Sequence, residues 1–220
     1  MEPGRVLIAE DAVLYLLSRL ATKRGSKVFV KVANNFSLDR DWHFWCAPDV
    51  DLLEVRADKT VIAYEAKGQR RRRGDIEPVG VLEGLGQALT YLDLPVITVS
   101  GVRTFDGGAP DFAYLVHGSS SPELLDARKK RVVDLTPVGF LAAFPSDGGV
   151  DSQAPSTASP IAPQHRCLAE IVPPKPNPLQ DPRAKAFLLE HLSSLEMFGE
   201  KGRSYRRIEI AGRAVFGVAV

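Results

Sequence analysis

The chain has 220 residues, of which 45% are hydrophobic, and a formal net charge of +1, so any contact with nucleic acid must come from a local basic surface. Its two cysteines, Cys46 and Cys167, form no CxxC pair, which argues against a disulfide framework and against structural zinc. No apolar stretch approaches the length of a membrane span and the N-terminus lacks the pattern of a signal peptide, so we expect a cytoplasmic protein with no membrane partner.

Hydrophobic periodicity predicts an α/β chain in which helices and strands alternate over the first 145 residues. Apolar residues at helical spacing indicate a first helix, and Gly25 follows its basic last turn as a stop. In chain order the predicted elements are a helix over 6–24, a strand over 27–32, a polar and aromatic loop over 34–47, a hairpin over 50–67 with its connection at 57–60, a polar connection over 68–78, a helix over 79–93, strands over 96–100 and 112–116, and short helices over 122–130 and 137–144.

A change in composition divides the chain into three parts. We predict a main domain over 1–145, a linker rich in Pro and Ser over 146–182, and a small C-terminal element over 183–220. That element would contain a helix over 183–198 and a hairpin over 208–220 that turns at 211–213. It is too small to hold a core of its own, so we expect it to pack on the main domain or to form part of a winged-helix-like or dimerising unit.

The hairpin over 50–67 places several charged residues at one end. Side chains alternate between the two faces of a strand, so Asp49 and Asp51 point the same way, as do Glu65 and Lys67. Two or three carboxylates suit Mg²⁺ or Mn²⁺, and a lysine beside them suits a phosphate or a metal-bound water. On this pattern alone, a solvated hairpin with surface charges would be the better interpretation.

Three further observations favour a functional site. Glu65 and Lys67 end an apolar strand, where unpaired charges on a buried face would be costly. Glu10 falls on the apolar side of the first helix, where a carboxylate needs a partner. Gln87 and Tyr91 are spaced i and i+4, so they lie on one face of the second helix.

In this order the motifs resemble those of the PD-(D/E)xK nuclease superfamily, with Pro48 and Asp49 as the "PD" and residues 65–67 as the "ExK". Glu10 matches the glutamate that many members carry on the first helix, and residues 87–91 match the QxxxY motif of the RecB-like branch. The resemblance covers roughly residues 6–117 and implies a restriction-endonuclease-like core. The predicted fold is therefore α/β, a central mixed β-sheet flanked by helices, with a Pro-rich linker and a small C-terminal helix-plus-hairpin tail.

The resemblance also implies a metal site that takes Mg²⁺, with Mn²⁺ able to substitute. Asp49 or Asp51, Glu65 and the main-chain carbonyl of Ala66 would bind the metal, and Glu10 would hold a second metal or a metal-bound water. We favour Asp49 because it follows Pro48, and treat Asp51 as its near-equal.

The remaining site residues would serve the reaction itself. The resemblance implies that Lys67 orients or helps to deprotonate the attacking water, and that Gln87 and Tyr91 contact the metal shell or the nucleic-acid backbone. Hydrolysis of this kind leaves a 5′-phosphate. Next to such a site, the run Arg70, Arg71, Arg72 and Arg73 would bind DNA phosphates, although charge runs are usually solvated loops.

The leading hypothesis is therefore a Mg²⁺-dependent deoxyribonuclease. Restriction, repair, junction cleavage and defence against mobile elements remain open, as do DNA against RNA and endo- against exonucleolytic cutting. The alternative of a different class is a catalytically silent nuclease-fold subunit that binds DNA or assembles with other proteins. A third interpretation, an enzyme acting on a phosphorylated small molecule, is weakened because no Gly-rich phosphate loop occurs.

Two kinds of protein partner are compatible with the sequence. Nucleases that cut both strands often dimerise, and the apolar residues 215–220 are a candidate interface edge for a homodimer. The chain contains no helicase motif, so processive activity would require a helicase or another nucleic-acid-processing partner.

Overall fold

A computed structural model describes residues 7–32, 36–39, 42–45, 49–80, 82–100, 102–120, 127–145, 167–192 and 202–216. Within these ranges the chain is an α/β protein with a central six-stranded mixed sheet and five helices. The helices are α1 (Glu10–Lys23), α2 (Leu85–Tyr91), α3 (Ala127–Asp134), α4 (Pro182–Glu190) and α5 (Gly202–Phe216). The strands are β1 (Lys27–Val32), β2 (Phe36–Asp39), β3 (Trp42–Trp45), β4 (Val50–Val55), β5 (Val61–Lys67), β6 (Arg70–Arg72), β7 (Asp75–Glu77), β8 (Val96–Val99), β9 (Val102–Phe105), β10 (Phe112–Gly118), β11 (Gly139–Ala143) and β12 (Leu168–Val172).

The central sheet has the strand order β1-β4-β5-β10-β11-β12. Strands β1, β4 and β5 are antiparallel neighbours, β10 runs parallel to both β5 and β11, and β12 is antiparallel to β11. Because β4 and β5 form a hairpin, the start of β4 lies beside the end of β5. The two parallel strands β5 and β10 also end side by side, with Lys67 paired to His117. One end of the sheet therefore collects the residues that begin β4 and finish β5 and β10.

Helices cover both faces of the central sheet. Helices α1 and α5 pack on one face, in a cluster that includes Leu16, Tyr64 and Ile208. Helices α2, α3 and α4 lie on the other face, where Leu188 and Val133 belong to the buried clusters. Every residue of β4 is buried, as expected for a strand covered on both sides.

Several sequence predictions agree with the observed elements. The first strand, the hairpin and the strands near 96–99 and 112–118 are confirmed, α1 and α2 overlap the predicted helices with shorter bounds, and α3 overlaps its prediction but extends to Asp134. The hairpin connection closes where the sequence indicated. The Arg56 N–H donates to the Thr60 carbonyl at 2.9 Å, and the Asp58 carboxylate accepts from the Thr60 N–H at 2.9 Å.

The prediction of a helix over 137–144 is wrong, because Gly139–Ala143 forms strand β11. This run is short and continuously apolar, and periodicity alone cannot separate a buried strand from a buried helix. Within the predicted Pro/Ser-rich linker over 146–182, which we expected to be largely irregular, Leu168–Val172 forms the edge strand β12. The strand has only five residues, and the Pro-rich composition of the surrounding chain predicted a linker there.

The polar loops predicted before and after the main hairpin also contain strands. Strands β2 and β3 lie within the predicted loop over 34–47, and join β8 and β9 in a separate four-stranded sheet. Strands β6 and β7 form a hairpin within the predicted connection over 68–78. Their two-residue turn has positive φ at Arg73 and Gly74, +51° and +94°, which matches the right-handed twist of a short hairpin.

The predicted C-terminal hairpin over 208–220 is wrong, because α5 runs without a break to Phe216. Gly212, which the sequence analysis assigned to a turn, is a contact point between helices. A Cβ atom on Gly212 would lie 2.0 Å from the ring of Tyr15, so only glycine allows α5 to approach α1 this closely. The first two residues of the proposed dimer edge over 215–220 are therefore helical and form no strand edge. Residues 217–220 lie outside the described residues.

The helix predicted over 183–198 begins as expected. The Asp181 carboxylate accepts from the Arg183 N–H at 2.8 Å as an N-terminal cap, and Pro182 occupies the first helical position. Residues 193–198 lie outside the described residues. No helix in the described ranges is long and apolar enough to cross a membrane.

Candidate active site

Two buried carboxylates lie together at the end of the β4–β5 hairpin. Asp51 is 6% exposed and Glu65 is 0% exposed. The Asp51 Oδ2 atom accepts a hydrogen bond from the Ala66 N–H at 2.8 Å, which fixes this carboxylate against β5. Asp51 therefore faces the site through its other oxygen, Oδ1.

Tyr91 and Lys67 hold the Glu65 carboxylate from two sides. The Tyr91 hydroxyl donates to Glu65 Oε2 in a short hydrogen bond, and it also lies 2.7 Å from the main-chain oxygen of Asp49. The Lys67 ammonium forms an ion pair with Glu65 Oε1. This contact lacks the direction of a hydrogen bond, and Oε1 is a buried oxygen without a hydrogen-bond partner among the described residues.

The ionisation of Glu65 reflects this environment. Burial raises the pKa of Glu65 to about 7, and the nearby Asp51 carboxylate adds to the increase, while Lys67 and Tyr91 act in the opposite direction. Burial also raises the pKa of Tyr91, with further contributions from Asp51 and Glu65, so its hydroxyl remains a hydrogen-bond donor.

Lys31 is a site residue that the sequence analysis missed. Its ammonium nitrogen lies 2.5 Å from Asp51 Oδ1 and 2.7 Å from Glu10 Oε1, so it bridges the two carboxylates. Burial lowers the pKa of Lys31, but the Asp51 and Glu10 carboxylates outweigh burial and raise it overall. A signal was present in the sequence, because Lys31 interrupts an apolar strand that pairs with β4, but nothing local indicated its partners.

The backbone beyond β5 positions the start of α1. The Gln69 N–H donates to the Ile8 carbonyl at 2.7 Å, and the Gln69 side-chain oxygen accepts from the Ile8 N–H at 3.1 Å. A Cβ atom on Gly68 would lie 2.0 Å from the Glu10 nitrogen. The absence of a side chain at Gly68 thus lets the first turn of α1 carry Glu10 to the site.

A second glycine brings α2 against the same residues. Gly84 precedes the helix with φ of +84°, a conformation that favours glycine. A Cβ atom there would lie 3.0 Å from Lys67 Cγ and 3.1 Å from Glu65 Cγ. This close approach aligns α2 so that Tyr91 reaches Glu65.

A buried basic pair lies behind Lys67. His117 is 2% exposed, its Nε2 atom lies 3.0 Å from the Glu83 carbonyl, and its Nδ1 atom lies 3.4 Å from the Lys129 ammonium. Lys129 also donates to the Val79 carbonyl at 2.7 Å. Burial lowers the pKa of His117 to about 4, and the Lys129 and Lys67 charges add to the effect. The neutral ring with hydrogen on Nε2 satisfies both contacts.

The arginine run lies on the β6–β7 hairpin, and all four side chains are exposed. Arg70 forms an ion pair at 2.7 Å with Glu83, the residue that precedes Gly84, and Arg72 lies 3.6 Å from Glu77. The contact with Glu83 joins the basic hairpin to the start of α2. Solvent therefore reaches this basic surface close to the elements that build the site.

The structure brings together five of the side chains that the sequence analysis named: Glu10, Asp51, Glu65, Lys67 and Tyr91. Two others differ in placement. The Asp49 side chain is exposed, and its main-chain oxygen is the atom that faces Tyr91. Gln87 is half-buried one turn before Tyr91, and in the described ranges its side chain forms no hydrogen bond with the site carboxylates.

The site's donor set fits one divalent cation. Asp51 and Glu65 offer hard oxygen ligands in a buried position, where their mutual repulsion favours a cation between them. Glu65 Oε1 is also without a hydrogen-bond partner in the described part of the chain. The described residues contain no group of three His, Cys, Asp or Glu side chains placed to hold a metal, and Glu10 is paired with Lys31.

Comparison of the chain with protein-family models, curated proteins and solved structures finds no match. The resemblance to the PD-(D/E)xK nucleases therefore rests on the sequence motifs.

The depressed pKa of His117 predicts a pH-dependent loss of stability. Above the unfolded-state pKa of about 6.5 the ring is neutral in both states; between about 6.5 and 4 only the unfolded state gains the proton. We expect this group to remove about 3 kcal/mol from the free energy of unfolding as the pH falls from 7 to 4, at 1.36 kcal/mol per pKa unit. Urea unfolding of wild type and His117→Gln across this range measures the difference.

The same substitution at His191, the residue that follows α4, provides the control. The His191→Gln curve should keep the wild-type dependence on pH, whereas the His117→Gln curve should be flatter. If the free energy of unfolding falls with pH equally in wild type and in His117→Gln, then folding does not lower the pKa of His117.

Proposed function

We propose that this protein is a Mg²⁺-dependent nuclease that hydrolyses phosphodiester bonds in DNA and leaves 5′-phosphate ends. The observation that carries the proposal is the buried Glu65 carboxylate beside Asp51, with a lysine ammonium on one oxygen and a raised pKa. A carboxylate pair with an adjacent ammonium suits a metal ion next to a phosphate that is being attacked.

Asp51 and Glu65 would be the carboxylate ligands of this metal. Their position favours Asp51 over Asp49, because the Asp51 side chain is buried and fixed by Ala66, whereas the Asp49 side chain is exposed. The carbonyl of Ala66 would lie in the same ligand set. When bound, Mg²⁺ would lower the pKa of a coordinated water and neutralise charge on the phosphate oxygens.

Lys67 and Tyr91 would act on either side of Glu65. The Lys67 ammonium, whose side chain is 15% exposed, would orient the attacking water and offset the negative charge that develops on the phosphate. Tyr91 would act as a positioning residue, because its hydroxyl holds Glu65 Oε2 and so orients Oε1 toward the Lys67 ammonium. Gln87, on the same helix, would contact the nucleic-acid backbone at the site's edge.

The arginine hairpin would supply affinity for the DNA backbone. Arg71 and Arg73 are exposed on the hairpin that Arg70 connects to the start of α2. Guanidinium groups bind phosphate through two parallel hydrogen bonds and carry no sequence information. A homodimer would serve for cutting both strands. Processive action would require a helicase or another nucleic-acid-processing partner.

One observation favours the second candidate, a catalytically silent subunit that binds DNA. The Lys31 and Lys67 ammonium groups already contact the carboxylates, so the site is largely neutralised without a metal. A silent subunit would bind DNA with equal affinity in Mg²⁺ and in EDTA and would cut in neither.

The cleavage prediction compares wild type with three variants, of which two form a matched pair. With single-stranded, duplex, branched and circular DNA, wild type should cut in Mg²⁺ or Mn²⁺ and not in EDTA. Lys67→Ala and Asp51→Asn should reduce the cleavage rate by roughly 100-fold or more while DNA binding persists, because they remove charge stabilisation and a metal ligand.

Asp49→Asn is the matched control for Asp51→Asn, since it makes the same change on an exposed side chain two residues earlier. It should reduce the rate by less than about tenfold, below the roughly 100-fold effect of losing a group at the reacting centre. If the protein binds DNA but does not cut it with any metal, the result would favour the second candidate, a catalytically silent subunit that binds DNA. Equal losses for the two aspartates would contradict the assignment of Asp51.

The second prediction concerns the basic hairpin. Replacing Arg71 and Arg73 together with Gln should weaken binding similarly for DNA of any sequence, because only phosphate contacts are lost. The slope of log affinity against log salt should decrease in magnitude by about 0.9 for each phosphate contact removed. Fluorescence anisotropy with Lys67→Ala protein, at several salt concentrations, measures both quantities.

Arg183→Gln and Arg103→Gln, two exposed arginines away from this hairpin, together provide the control with the same loss of charge. An unchanged salt slope in the Arg71 and Arg73 variant, or an equal change in the control, would show that the hairpin does not contact DNA.

A further inference from the structure

Lys31 has a contact pattern that the proposed mechanism does not use. Its ammonium bridges two carboxylate oxygens of the site, Asp51 Oδ1 and Glu10 Oε1. The backbone at Lys31 has φ of +51°, which disfavours any residue with a Cβ atom. A lysine in this conformation, between the strand pairs Val30–Leu52 and Val32–Val50, is a local irregularity that coincides with the site.

The bonding of Asp51 limits where a metal can bind. Oδ2 already accepts from the Ala66 N–H, so Oδ1 is the oxygen that faces the site, and Lys31 contacts this same atom at 2.5 Å. A divalent cation binds a carboxylate oxygen at about 2.0–2.1 Å in the case of Mg²⁺, so an ammonium and a metal on one oxygen would lie within about 5 Å. Two cations at that separation repel strongly in a partly buried site.

The balance of charge at the site leads to the same conclusion, that the Lys31 ammonium and a divalent cation compete for one position. Three carboxylates, from Glu10, Asp51 and Glu65, face two ammonium groups, from Lys31 and Lys67. Removing the Lys31 charge would leave Glu10 and Asp51 facing each other with no cation between them. A divalent cation near Asp51 Oδ1 would offset the charge of that pair in place of the Lys31 ammonium.

We infer that Lys31 is an internal counter-cation that holds Glu10 and Asp51 in place without metal, and that a divalent cation displaces its ammonium when it binds. This inference rests on the proposed function, because it assumes that the metal binds at Asp51. Lys31 is thus a positioning residue. Its ammonium offsets the repulsion between the Glu10 and Asp51 carboxylates, and it lowers the affinity of the site for metal.

Titration of MnCl₂ into wild type and Lys31→Met by calorimetry tests this without an activity assay. We expect Lys31→Met to bind Mn²⁺ about tenfold more tightly, or more, because a competing charge has been removed. In EDTA the same variant should unfold at a lower temperature than wild type, and Mn²⁺ should raise that temperature more than it does for wild type. Lys27→Met, an exposed position on the same strand, provides the matched control and should retain wild-type Mn²⁺ affinity.

Acetylation of the wild-type protein, followed by mass spectrometry, keeps the test decisive if Lys31→Met does not fold. Saturating Mg²⁺ should increase the modification rate of Lys31 and leave that of Lys27 unchanged, and Asp51→Asn should abolish the metal dependence. An unchanged or slower rate at Lys31 with metal bound would overturn the inference.

The outcomes also separate this inference from the proposed function. Equal or weaker Mn²⁺ binding by Lys31→Met, in a protein whose wild type binds Mn²⁺ through Asp51, overturns the role of Lys31 and leaves the metal site intact. Absence of Mn²⁺ binding by wild type and by Lys31→Met, both folded, overturns the metal site and the inference together.

Discussion

The burial of Asp51 and Glu65 side by side is the constraint on which the site depends. Two carboxylates removed from water repel each other, and the raised pKa of Glu65 records this repulsion together with the loss of solvent. Each neighbouring element contributes a group that reduces the cost: Ala66 through its N–H, Tyr91 through its hydroxyl, and Lys31 and Lys67 through their charges. These groups come from β1, β5 and α2, so the site depends on how these three elements pack together.

A second buried carboxylate in the same sheet, that of Glu54, provides a comparison, because hydrogen bonds within the fold satisfy both of its oxygens. Glu54 accepts hydrogen bonds from Arg24 at 2.9 and 3.1 Å, from Ser26 at 2.8 Å and from Tyr64 at 2.7 Å. Burial raises its pKa, but Arg24 and these hydrogen bonds outweigh burial and lower it. Glu65 differs because one of its oxygens lacks a hydrogen bond and its pKa is raised. This contrast between two glutamates on adjacent strands is the physical reason to assign chemistry to one of them.

The sequence predicted the hairpin and its charged end because alternation and a polar connection are local signals. It favoured Asp49 because of the preceding proline, with Asp51 as near-equal, since burial against β5, which favours Asp51, is not a local signal. Lys31 was missed because its partners lie 20 and 21 residues away on other elements. Strand β11 and helix α5 were misassigned for a related reason: a short apolar run and a glycine each have two local interpretations, and only packing against β10 and Tyr15 decides between them.

The central claim is that Asp51 and Glu65 together bind a divalent metal at the end of β4 and β5. Crystals of the protein grown or soaked with MnCl₂, with diffraction recorded at a wavelength where manganese scatters anomalously, test it directly. The account predicts a single anomalous peak within bonding distance of both carboxylates, lost in Asp51→Asn, with the Lys31 ammonium no longer on Asp51 Oδ1. An ordered site without that peak, with both lysines still bound to the carboxylates at saturating Mn²⁺, would contradict it.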